Sequence, residues 1–425
     1  MSNAPSILSF EAARHVVEEH AACLSPRGKE SVALLQAPGR VLAEPLAADR
    51  DFPPFPRATR DGYAVRSADL AKLPASLKVI GEIKAGQAPD SALHLQTGEA
   101  LAIMTGAPAP PGADAVVMIE YSSRTPGGVE ITRSVKSGEN IVPMGAEARR
   151  GDILLEAGFR LDEAAIAIAA SIGKTNVEVY LRPRVAVLST GDEIIEINLQ
   201  PGPNQIRNSN SYSLASQTLA AGGEPALLPI APDQPKRLKK LIEKGLTTDL
   251  LLLTGGVSMG KYDLVEQVLG KLNAEFFFTG AQIQPGRPIV FGRCDTGPRG
   301  VGAPTREKHD KYTYFFGLPG NPVSTMVTFE LFARPILQAL AGIRPNKLIF
   351  LHARLKSEIK TKTGLKRFLP AVLSGEFEHA EVELARWQGS GDIAATARAN
   401  CYIVIPPDRE SIPAGESVPV LMRKG

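Results

Sequence analysis

The chain has 425 residues, of which 44% are hydrophobic and 22% are charged, and its formal net charge at pH 7 is +3. This composition is ordinary for a soluble globular protein, and the length predicts about three domains. The weak net charge argues against an electrostatic nucleic-acid surface, and no apolar run reaches the ~20 residues of a membrane span.

Cysteine usage and the N-terminal composition predict the compartment. The three cysteines are far apart in sequence, which favours a reducing environment and argues against a disulfide framework. The six histidines form no close cluster with cysteine, so we expect no structural zinc site. Glu11, Glu18 and Glu19 argue against a signal or transit peptide. We therefore expect a cytoplasmic protein that binds neither nucleic acid nor membranes.

The N-terminal part predicts one helix and a small β-rich domain. Residues 9–23 have an amphipathic pattern, and Ser9 is suited to be the N-cap. Residues 51–56 predict a linker, because three prolines in four positions cannot continue a helix or a central strand. Short apolar runs punctuated by glycine over residues 77–142 then predict a β-rich domain inserted into the first unit.

Two polar residues in this part have both a structural and a functional interpretation. Asp61 precedes Gly62, a pair that favours a turn, so Asp61 on its own is more typical of a turn residue than of a functional one. Thr105 and Gly106 place a hydroxyl and a backbone N–H at a predicted strand end. They suit ligand binding, and equally an ordinary transition from strand to turn.

Beyond residues 182–184 the pattern changes to alternating strands and helices. Before this boundary, Asp162 is predicted to cap a helix of small apolar residues over 164–170. After it, strands are predicted at residues 185–188, 226–230, 250–253, 276–278, 289–291 and 312–316. Helices are predicted from Ser209 or Asn210, over residues 235–244, after Asp263, and up to about residue 341. Such alternation indicates a doubly wound, mostly parallel α/β domain.

The stretch from Asp249 to Asp263 carries the strongest local pattern. Four leucines predict a strand buried on both faces, and the strand breaks at Gly255 and Gly256, which permit a sharp turn with N–H groups presented to an anion. Ser258 adds a hydroxyl, and Asp263 opens the next helix. This arrangement suits a phosphate site with a metal ligand, and it is also compatible with a tight β–α turn capped by aspartate.

If the sheet is parallel, the carboxyl ends of its strands lie at one edge, which is where ligands bind. Several weak motifs that follow the strands would then meet at that edge. Two or three carboxylates beside two glycine loops suit a phosphate ester that binds Mg²⁺. The residues predicted at this edge are Thr190, Gly191, Asp192, Glu193, Asp233, Gly255, Gly256, Asp263, Pro319, Gly320 and Asn321.

The C-terminal residues predict a small all-β domain. Strand signals recur at residues 350–355, 368–373, 382–385, 402–405 and 418–421. The basic side chains of this domain, among them Lys366 and Arg367, suit either an anion or water, and for any one of them we expect water. We also expect the basic helix at residues 235–244 to be a solvated face.

Six motifs are read directly from the sequence. They are Asp61-Gly62-Tyr63-Ala64-Val65, Met104-Thr105-Gly106-Ala107-Pro108 with residues 112–117, Ser189-Thr190-Gly191-Asp192-Glu193, residues 255–260 with Asp263, Pro285-Gly286-Arg287-Pro288, and Leu318-Pro319-Gly320-Asn321-Pro322-Val323-Ser324. The six occur in the same order as in MoeA-type molybdopterin molybdenumtransferases, a family that includes the E domain of gephyrin, and this resemblance spans nearly the whole chain.

The resemblance implies four domains and an elongated homodimer. The domains are a discontinuous helical and extended N-terminal domain at residues 1–51 and 143–180, an inserted β-rich domain at 52–142, an α/β domain of the MoaB and MogA type at 181–342, and a small β-barrel domain at 343–425. It also implies that the partner's inserted domain closes over the α/β site and brings Asp61 and Thr105 to it.

The resemblance further implies insertion of molybdate into adenylylated molybdopterin, with release of AMP and a requirement for Mg²⁺. The catalytic residues would be Asp61, Thr105, Glu193, Asp233 and Asp263, and the metal ligands Asp192, Glu193 and Asp263. The cofactor-binding residues would be Thr190, Gly191, Asn210, Gly255, Gly256, Ser258, Gln284, Arg287, Pro319, Gly320, Asn321 and Ser390. Protein partners would be an adenylyltransferase of the MogA or MoaB type and molybdoenzyme maturation factors.

The chain departs from the family pattern on the molybdate side. Gln284 and Arg287 stand where the family often has two lysines, so one of the two charges is lost. Pro370 replaces an arginine, for which Arg367 is the nearest substitute, and Glu147 stands where aspartate is usual. These changes are compatible with weaker molybdate binding, with tungstate preference, or with harmless variation. Alternative functions are a molybdopterin-binding module that inserts no metal, and a scaffold.

Overall fold

The structure is a computed structural model that describes residues 7–87, 94–256, 264–297, 312–343, 347–386 and 388–423. Ser258 and Asp263 lie outside these ranges. The chain divides into two compact units. The first comprises Met1–Ser31, Gly39–Ala43 and Glu178–Gly425, and the second comprises Val32–Pro38 and Glu44–Val177.

The first unit is built around a mixed sheet. Its described strands, in spatial order, are Glu224–Leu227, Arg184–Ser189, Leu250–Thr254, Tyr312–Leu318, Val290–Asp295 and Glu275–Phe278. The first four strands pair in parallel, and Val290–Asp295 pairs antiparallel with both of its neighbours. The doubly wound, mostly parallel α/β domain predicted from the sequence is thus confirmed.

The run of leucines explains why this sheet is covered on both faces. Leu250 and Leu252 point into one apolar core, whereas Leu251 and Leu253 point into another, and all four are 0% exposed. The alternation follows from the two-residue period of a strand. The helices on the first face are Phe10–Ala22, Ser209–Ala220, and Pro322–Thr328 continued by Arg334–Leu340; those on the second are Pro235–Gly245 and Leu264–Lys271.

The helix ends largely follow the predicted signals. Ser9 caps the first helix by accepting a hydrogen bond from Ala12 N (3.1 Å). The cap of the helix Ser209–Ala220 is Asn208, which accepts a hydrogen bond from Ser211 N (3.1 Å) and lies just before the predicted starts Ser209 and Asn210. The last long helix contains a π-helical turn, Phe329–Ala333, that the sequence pattern does not predict.

One predicted strand is shifted. The strand expected at residues 226–230 is Glu224–Leu227 in the structure. Pro229 has no N–H to donate, so regular pairing cannot continue through it. The chain nevertheless stays beside the strand Arg184–Ser189, because Ala231 N donates a hydrogen bond to Ser189 O (2.8 Å). Asp233 is therefore still brought to the carboxyl edge of the sheet.

The C-terminal domain is a small closed barrel. Its described strands are Phe350–Leu355, Lys366–Ser374, Glu381–Leu384, Cys401–Ile405 and Ser417–Met422. The barrel closes because Lys366–Ser374 pairs with Glu381–Leu384 on one side and Cys401–Ile405 on the other. A short strand, Ile283–Gln284, pairs in parallel with Lys366 and Arg367 and joins the barrel to the α/β domain.

The second unit contains the predicted β-rich stretch. Its described sheet has the order Ala115–Met118, Gly62–Val65, Glu99–Ile103, Ala75–Ile83, Gly128–Ile131 and Ser122–Thr125. Asp162 caps the helix Glu163–Ser171 by accepting from Ala165 N (2.9 Å), as the sequence predicts. The exact domain limits stay a prediction. None of the helices in the described ranges is long and apolar enough to cross a membrane.

The three free cysteines yield a test of this packing. Cys23 is exposed, whereas burial raises the pKa of the Cys294 thiol to about 12 and that of Cys401 to about 11. A thiol reacts as its thiolate, so at pH 8 both buried cysteines are protonated and shielded. We expect a colorimetric thiol reagent to label one cysteine in the native protein and three in denaturant. Rapid native labelling of a Cys23→Ser variant would contradict the burial.

Candidate active site

The carboxyl ends of three parallel strands meet at Thr254. The Asn210 amide donates to Thr254 Oγ1 (2.9 Å) and to Gly320 O (2.7 Å). The Thr254 hydroxyl in turn donates to Pro319 O (3.1 Å), and Thr254 O accepts from Thr190 N (3.0 Å). One buried threonine therefore holds the three polar segments that the sequence pattern placed at this edge.

Gly255 and Gly256 make the close approach between these segments possible. Both have positive φ, 85° and 64°. A Cβ atom on Gly255 would lie 2.2 Å from Thr190 O, so a side chain here would force the two strand ends apart. The predicted sharp turn is thus present, and Gly320 lies against it: a Cβ on Gly320 would be 3.6 Å from the Gly255 Cα.

These segments line a cavity of about 430 Å³, which we call the first cavity. Seven predicted site residues lie in its wall: Glu193, Asn210, Gly255, Gly256, Pro319, Gly320 and Asn321. Asn210 is 7% exposed, and its Oδ1 has no hydrogen-bond partner in the described chain. An unsatisfied buried acceptor in a cavity wall is suited to a ligand N–H or O–H.

Asp192 and Asp233 are not among the residues of this wall. The Thr190 hydroxyl donates to Asp233 Oδ1 (3.1 Å), and Asp233 N donates to Asp192 Oδ1 (3.1 Å). The Glu193 carboxylate folds over Gly191, where a Cβ would lie 2.5 Å from Glu193 Oε2. The structure thus brings together the strand-end residues from Thr190 to Glu193 with Asp233.

The described residues do not by themselves complete a cation site. No group of three or more acidic, histidine or cysteine side chains converges as metal ligands within the described ranges, and Asp263 lies outside them. The donor chemistry nevertheless fits Mg²⁺. Asp192 and Asp233 each use one carboxylate oxygen in the hydrogen bonds above, which leaves a second hard oxygen donor on each.

A second cavity, of about 810 Å³, adjoins the first and shares Pro288, Pro319 and Asn321 with it. Its wall includes the remaining residues predicted on the anion side: Gln284, Arg287 and Ser390. Gly286, between Gln284 and Arg287, has a φ of 103°, and a Cβ there would lie 2.3 Å from Thr328 Cγ2. Gly286 is therefore required for the segment from Gln284 to Arg287 to pack against the helix Pro322–Thr328.

Arg367 also lines the second cavity, so the expectation that it faces water is wrong and the alternative of an anion-facing side chain is favoured. The residue is 7% exposed, and its guanidinium donates to Leu365 O (3.1 Å). No carboxylate of the described chain pairs with it. Burial lowers the pKa of Arg367 below its usual range, although a guanidinium stays protonated at neutral pH. A buried cation without a counter-ion is suited to an anionic ligand.

Lys366 differs from its neighbour. It forms an ion pair with Glu11, and its ammonium lies 4.9 Å from the centroid of the Phe10 ring. The expectation that it faces water is therefore wrong as well. The basic helix Pro235–Gly245 does present its lysines to solvent, as predicted.

Asp61 and Thr105 lie together in the second compact unit. Asp61 Oδ1 accepts hydrogen bonds from Thr105 N (2.6 Å) and Thr105 Oγ1 (2.8 Å). These two bonds lower the pKa of Asp61, and the carboxylate is exposed. The second oxygen of this carboxylate is free of protein donors in the described chain. The two residues form a single pair, which their separation of 44 positions in sequence does not predict.

Sequence reasoning missed two basic residues in the cavity walls. Arg207 lines the first cavity and is held by Leu199 O (3.0 Å), and Lys362 lines the second. Arg207 immediately precedes the cap of the helix that carries Asn210, so extending the motif backwards would have found it. Lys362 carries no local signal, because its position depends on how the barrel is attached.

Comparison with known proteins gives the family. The model for the MoeA N-terminal region (domain I and II) matches residues 8–173, a probable molybdopterin binding domain matches 186–339, and the MoeA C-terminal region (domain IV) matches 352–422. A molybdopterin molybdenumtransferase of Nostoc sp. is 35% identical over 407 residues, which are 93% of this chain and 89% of that protein. One of Bacillus subtilis is 32% identical over 405 residues, with 92% and 89% covered.

Solved structures agree. Two crystal structures of the molybdopterin biosynthesis MoeA protein from Pyrococcus horikoshii match with TM-scores of 0.71 and 0.77 at 34% and 28% identity. The matches cover 99% and 98% of this chain and 100% of each of those chains. Together with the matched domains and relatives, they show that this chain belongs to the MoeA family.

Proposed function

We propose that this chain inserts molybdenum from molybdate into adenylylated molybdopterin and releases AMP, a step of molybdenum cofactor biosynthesis. The names of its relatives support this function, and the matches to them extend over about nine-tenths of the chain. The observation that carries the proposal is the pair of adjoining cavities. The first has glycine N–H groups and a carboxylate in its wall, the second has only cationic charges among its described residues, and both share Pro319 and Asn321.

The first cavity is proposed to hold the pterin and its pyrophosphate. The loop at Gly255 and Gly256 allows backbone N–H groups to come close to phosphate oxygens, and Ser258 is proposed to add a hydroxyl. Asn210 Oδ1 is suited to accept a hydrogen bond from the substrate, since it has no partner in the described chain. These fixed groups orient the substrate and need no rearrangement as the reaction proceeds.

The carboxylates are proposed to hold the divalent cation. Asp192, Glu193 and Asp263 would be its ligands, with Asp233 beside them, and a bound Mg²⁺ supplies positive charge that stabilises the leaving AMP. The Thr190 hydroxyl, which donates to Asp233, fixes the direction of that carboxylate. Asp192 is fixed in the same way by Asp233 N.

The second cavity is proposed to bind molybdate. Arg287 and Arg367 contribute positive charge, while Gln284 and Ser390 contribute neutral hydrogen-bonding groups. Molybdate is a tetrahedral dianion, and charge-assisted hydrogen bonds from fixed donors suit it. Because this cavity adjoins the first, an oxyanion bound there lies next to the ligand of the first cavity.

Asp61 and Thr105 are proposed to act on the substrate bound by a partner subunit. The hydrogen bonds from Thr105 lower the pKa of Asp61, so Asp61 is ionised at neutral pH, and this form is lost only when the pH falls through the lowered pKa. The carboxylate therefore has a free oxygen and a full negative charge at pH 7, which suits cation binding or acceptance of a proton.

A homodimer is supported by one helix of the second unit. Glu163–Ser171 is apolar almost all round, a composition typical of a buried helix, yet Ala164, Ala167 and Ala170 are exposed. Leu35, which belongs to a short 3₁₀ helix in contact with it, is 90% exposed. We propose that a second copy of the chain covers this apolar surface.

We also propose that the protein works in the cytoplasm. Its substrate would come from an adenylyltransferase of the MogA or MoaB type, and its product would pass to molybdoenzyme maturation factors. The absence of a membrane-crossing helix among the described residues is compatible with this location.

The decisive experiment is AMP release by purified protein given adenylylated molybdopterin, Mg²⁺ and molybdate. We expect release that depends on molybdate and on the divalent cation, because the two ligands are proposed to meet at the shared wall of the cavities. The control omits molybdate. Tight binding of the adenylylated pterin without release at any molybdate concentration would instead identify a binding module.

A substitution at Asn210 tests the first cavity. Asn210→Ala removes a buried hydrogen-bonding group that faces the ligand, so we expect the KM for adenylylated molybdopterin to rise about tenfold. The matched control is Asn204→Ala, because Asn204 is exposed and lies outside both cavity walls. Equal KM values for the two variants would remove Asn210 from the binding site.

A substitution in the helix Glu163–Ser171 tests the homodimer. Ala167→Arg places a charge on the exposed apolar surface, so we expect a dimeric protein to become monomeric at micromolar concentration, as measured by light scattering after gel filtration. Ile393→Arg is the control, because Ile393 is 42% exposed on a helix of the C-terminal domain. A wild-type protein that is monomeric at all concentrations would contradict the proposal.

A further inference from the structure

The walls of the second cavity carry more positive charge than the sequence motif at Gln284 and Arg287 predicts. Arg287, Arg367 and Lys362 all lie in the lining, and among the described lining residues none is acidic. Lys362 is exposed and forms no ion pair or side-chain hydrogen bond in the described chain. Lys356 and Lys360, two other exposed lysines of the C-terminal domain, each have a carboxylate nearby, whereas Lys362 lies in the cavity wall.

Main-chain pairing fixes Lys362 with respect to the opposite wall. Ile283 is opposite Lys366 and Gln284 is opposite Arg367 in a parallel register, and Lys366 N donates to Gln282 O (3.1 Å). Since Gln284 and Arg367 belong to one strand pair, the loop immediately before Lys366 cannot move independently of the part of the cavity wall that contains Gln284.

The loop that carries Lys362 is also held on its other side. Thr361 N donates to Glu410 O (2.8 Å), and Gly364 N donates to Pro407 O (2.7 Å). Lys362 and Thr363 lie between these two anchors. The backbone of Lys362 is therefore positioned, while its long side chain is free to extend towards a ligand.

We propose that Lys362 replaces the positive charge missing at Gln284 and makes the first contact with a tetrahedral oxyanion that enters the second cavity. The inference rests on the proposed function, which places molybdate there. It assigns distinct roles to the cations. Lys362, at the exposed side, attracts the dianion from solution, and the buried Arg367 holds it without a competing carboxylate.

Ionic strength separates these roles. An exposed charge is screened by salt over about 8 Å at physiological ionic strength, whereas a buried one is screened much less. Loss of Lys362 should therefore reduce both the affinity and its dependence on salt. Loss of a merely structural lysine would change neither.

The test is direct binding of molybdate, measured by calorimetry at two salt concentrations, with the AMP-release assay run on the same samples. Lys362→Gln is expected to weaken molybdate binding about tenfold at low salt and by less at high salt. Lys360→Gln is the matched control, because Lys360 is an exposed lysine two positions away that lies outside the cavity wall. Equal unfolding temperatures verify that both variants fold.

A second variant tests the exchange of charge between the two walls. Lys362→Arg should retain most of the affinity, and adding Gln284→Lys to Lys362→Gln should restore it, since each returns one cation to the cavity. The proposal would be overturned if neither Lys362→Arg nor the double variant bound molybdate more tightly than Lys362→Gln does.

The outcomes distinguish this inference from the proposed function. Wild-type affinity and salt dependence in Lys362→Gln, in a protein that releases AMP, would overturn the role of Lys362 and leave the transferase intact. The expected loss in a protein that binds molybdate but never releases AMP would support Lys362 and overturn the transferase. Wild-type protein that releases AMP without measurable molybdate binding would overturn the inference, because Lys362 would then have no bound oxyanion to attract.

Discussion

The hydrogen bonds of Thr254 are the constraint on which the site depends. Its hydroxyl accepts from Asn210 and donates to Pro319 O, and its carbonyl accepts from Thr190 N, so three chain segments are fixed to one buried residue. A buried polar group costs about 1–3 kcal/mol when it is left unpaired, so each of these segments has a strong reason to stay in place. The glycines that follow allow the segments to approach closely, and the first cavity is the space that remains between them.

The second cavity depends on a different connection. The α/β domain and the barrel are joined by the strand pair of Ile283–Gln284 with Lys366 and Arg367, and Gln284 and Arg367 at this junction both line the cavity. Charge in this wall is therefore distributed over two domains. A lysine lost from one side of such a cavity is replaceable from the other side, because a small oxyanion has no fixed preference for the domain that supplies its hydrogen-bond donors.

The sequence predicted the elements that depend on local patterns. The run from Leu250 to Leu253 has the composition of a doubly buried strand, and Gly255 and Gly256 signal a turn. Their position at the sheet edge follows from the rule that parallel strands have their carboxyl ends at one edge. Arg367 was misjudged for a physical reason. Its burial arises from closure of the barrel and from the Ile283–Gln284 strand, which pair residues far apart in sequence. The pairing of Asp61 with Thr105 has the same long-range origin.

The π-helical turn Phe329–Ala333 has a consequence for how the last long helix relates to its two ends. A π-turn contains about one residue more than an α-turn, so it absorbs a single extra residue without a loop; in a continuous α-helix the same extra residue would rotate everything beyond it by about 100°. Pro322–Thr328 faces the strand-end loops, whereas Arg334–Leu340 packs against Phe10–Ala22. Deletion of one residue within the turn would restore a continuous α-helix of nearly the same length. Both faces would keep their neighbours, because the wide turn already absorbs the extra residue, whereas straightening the turn without a deletion would rotate one face away by about 100°.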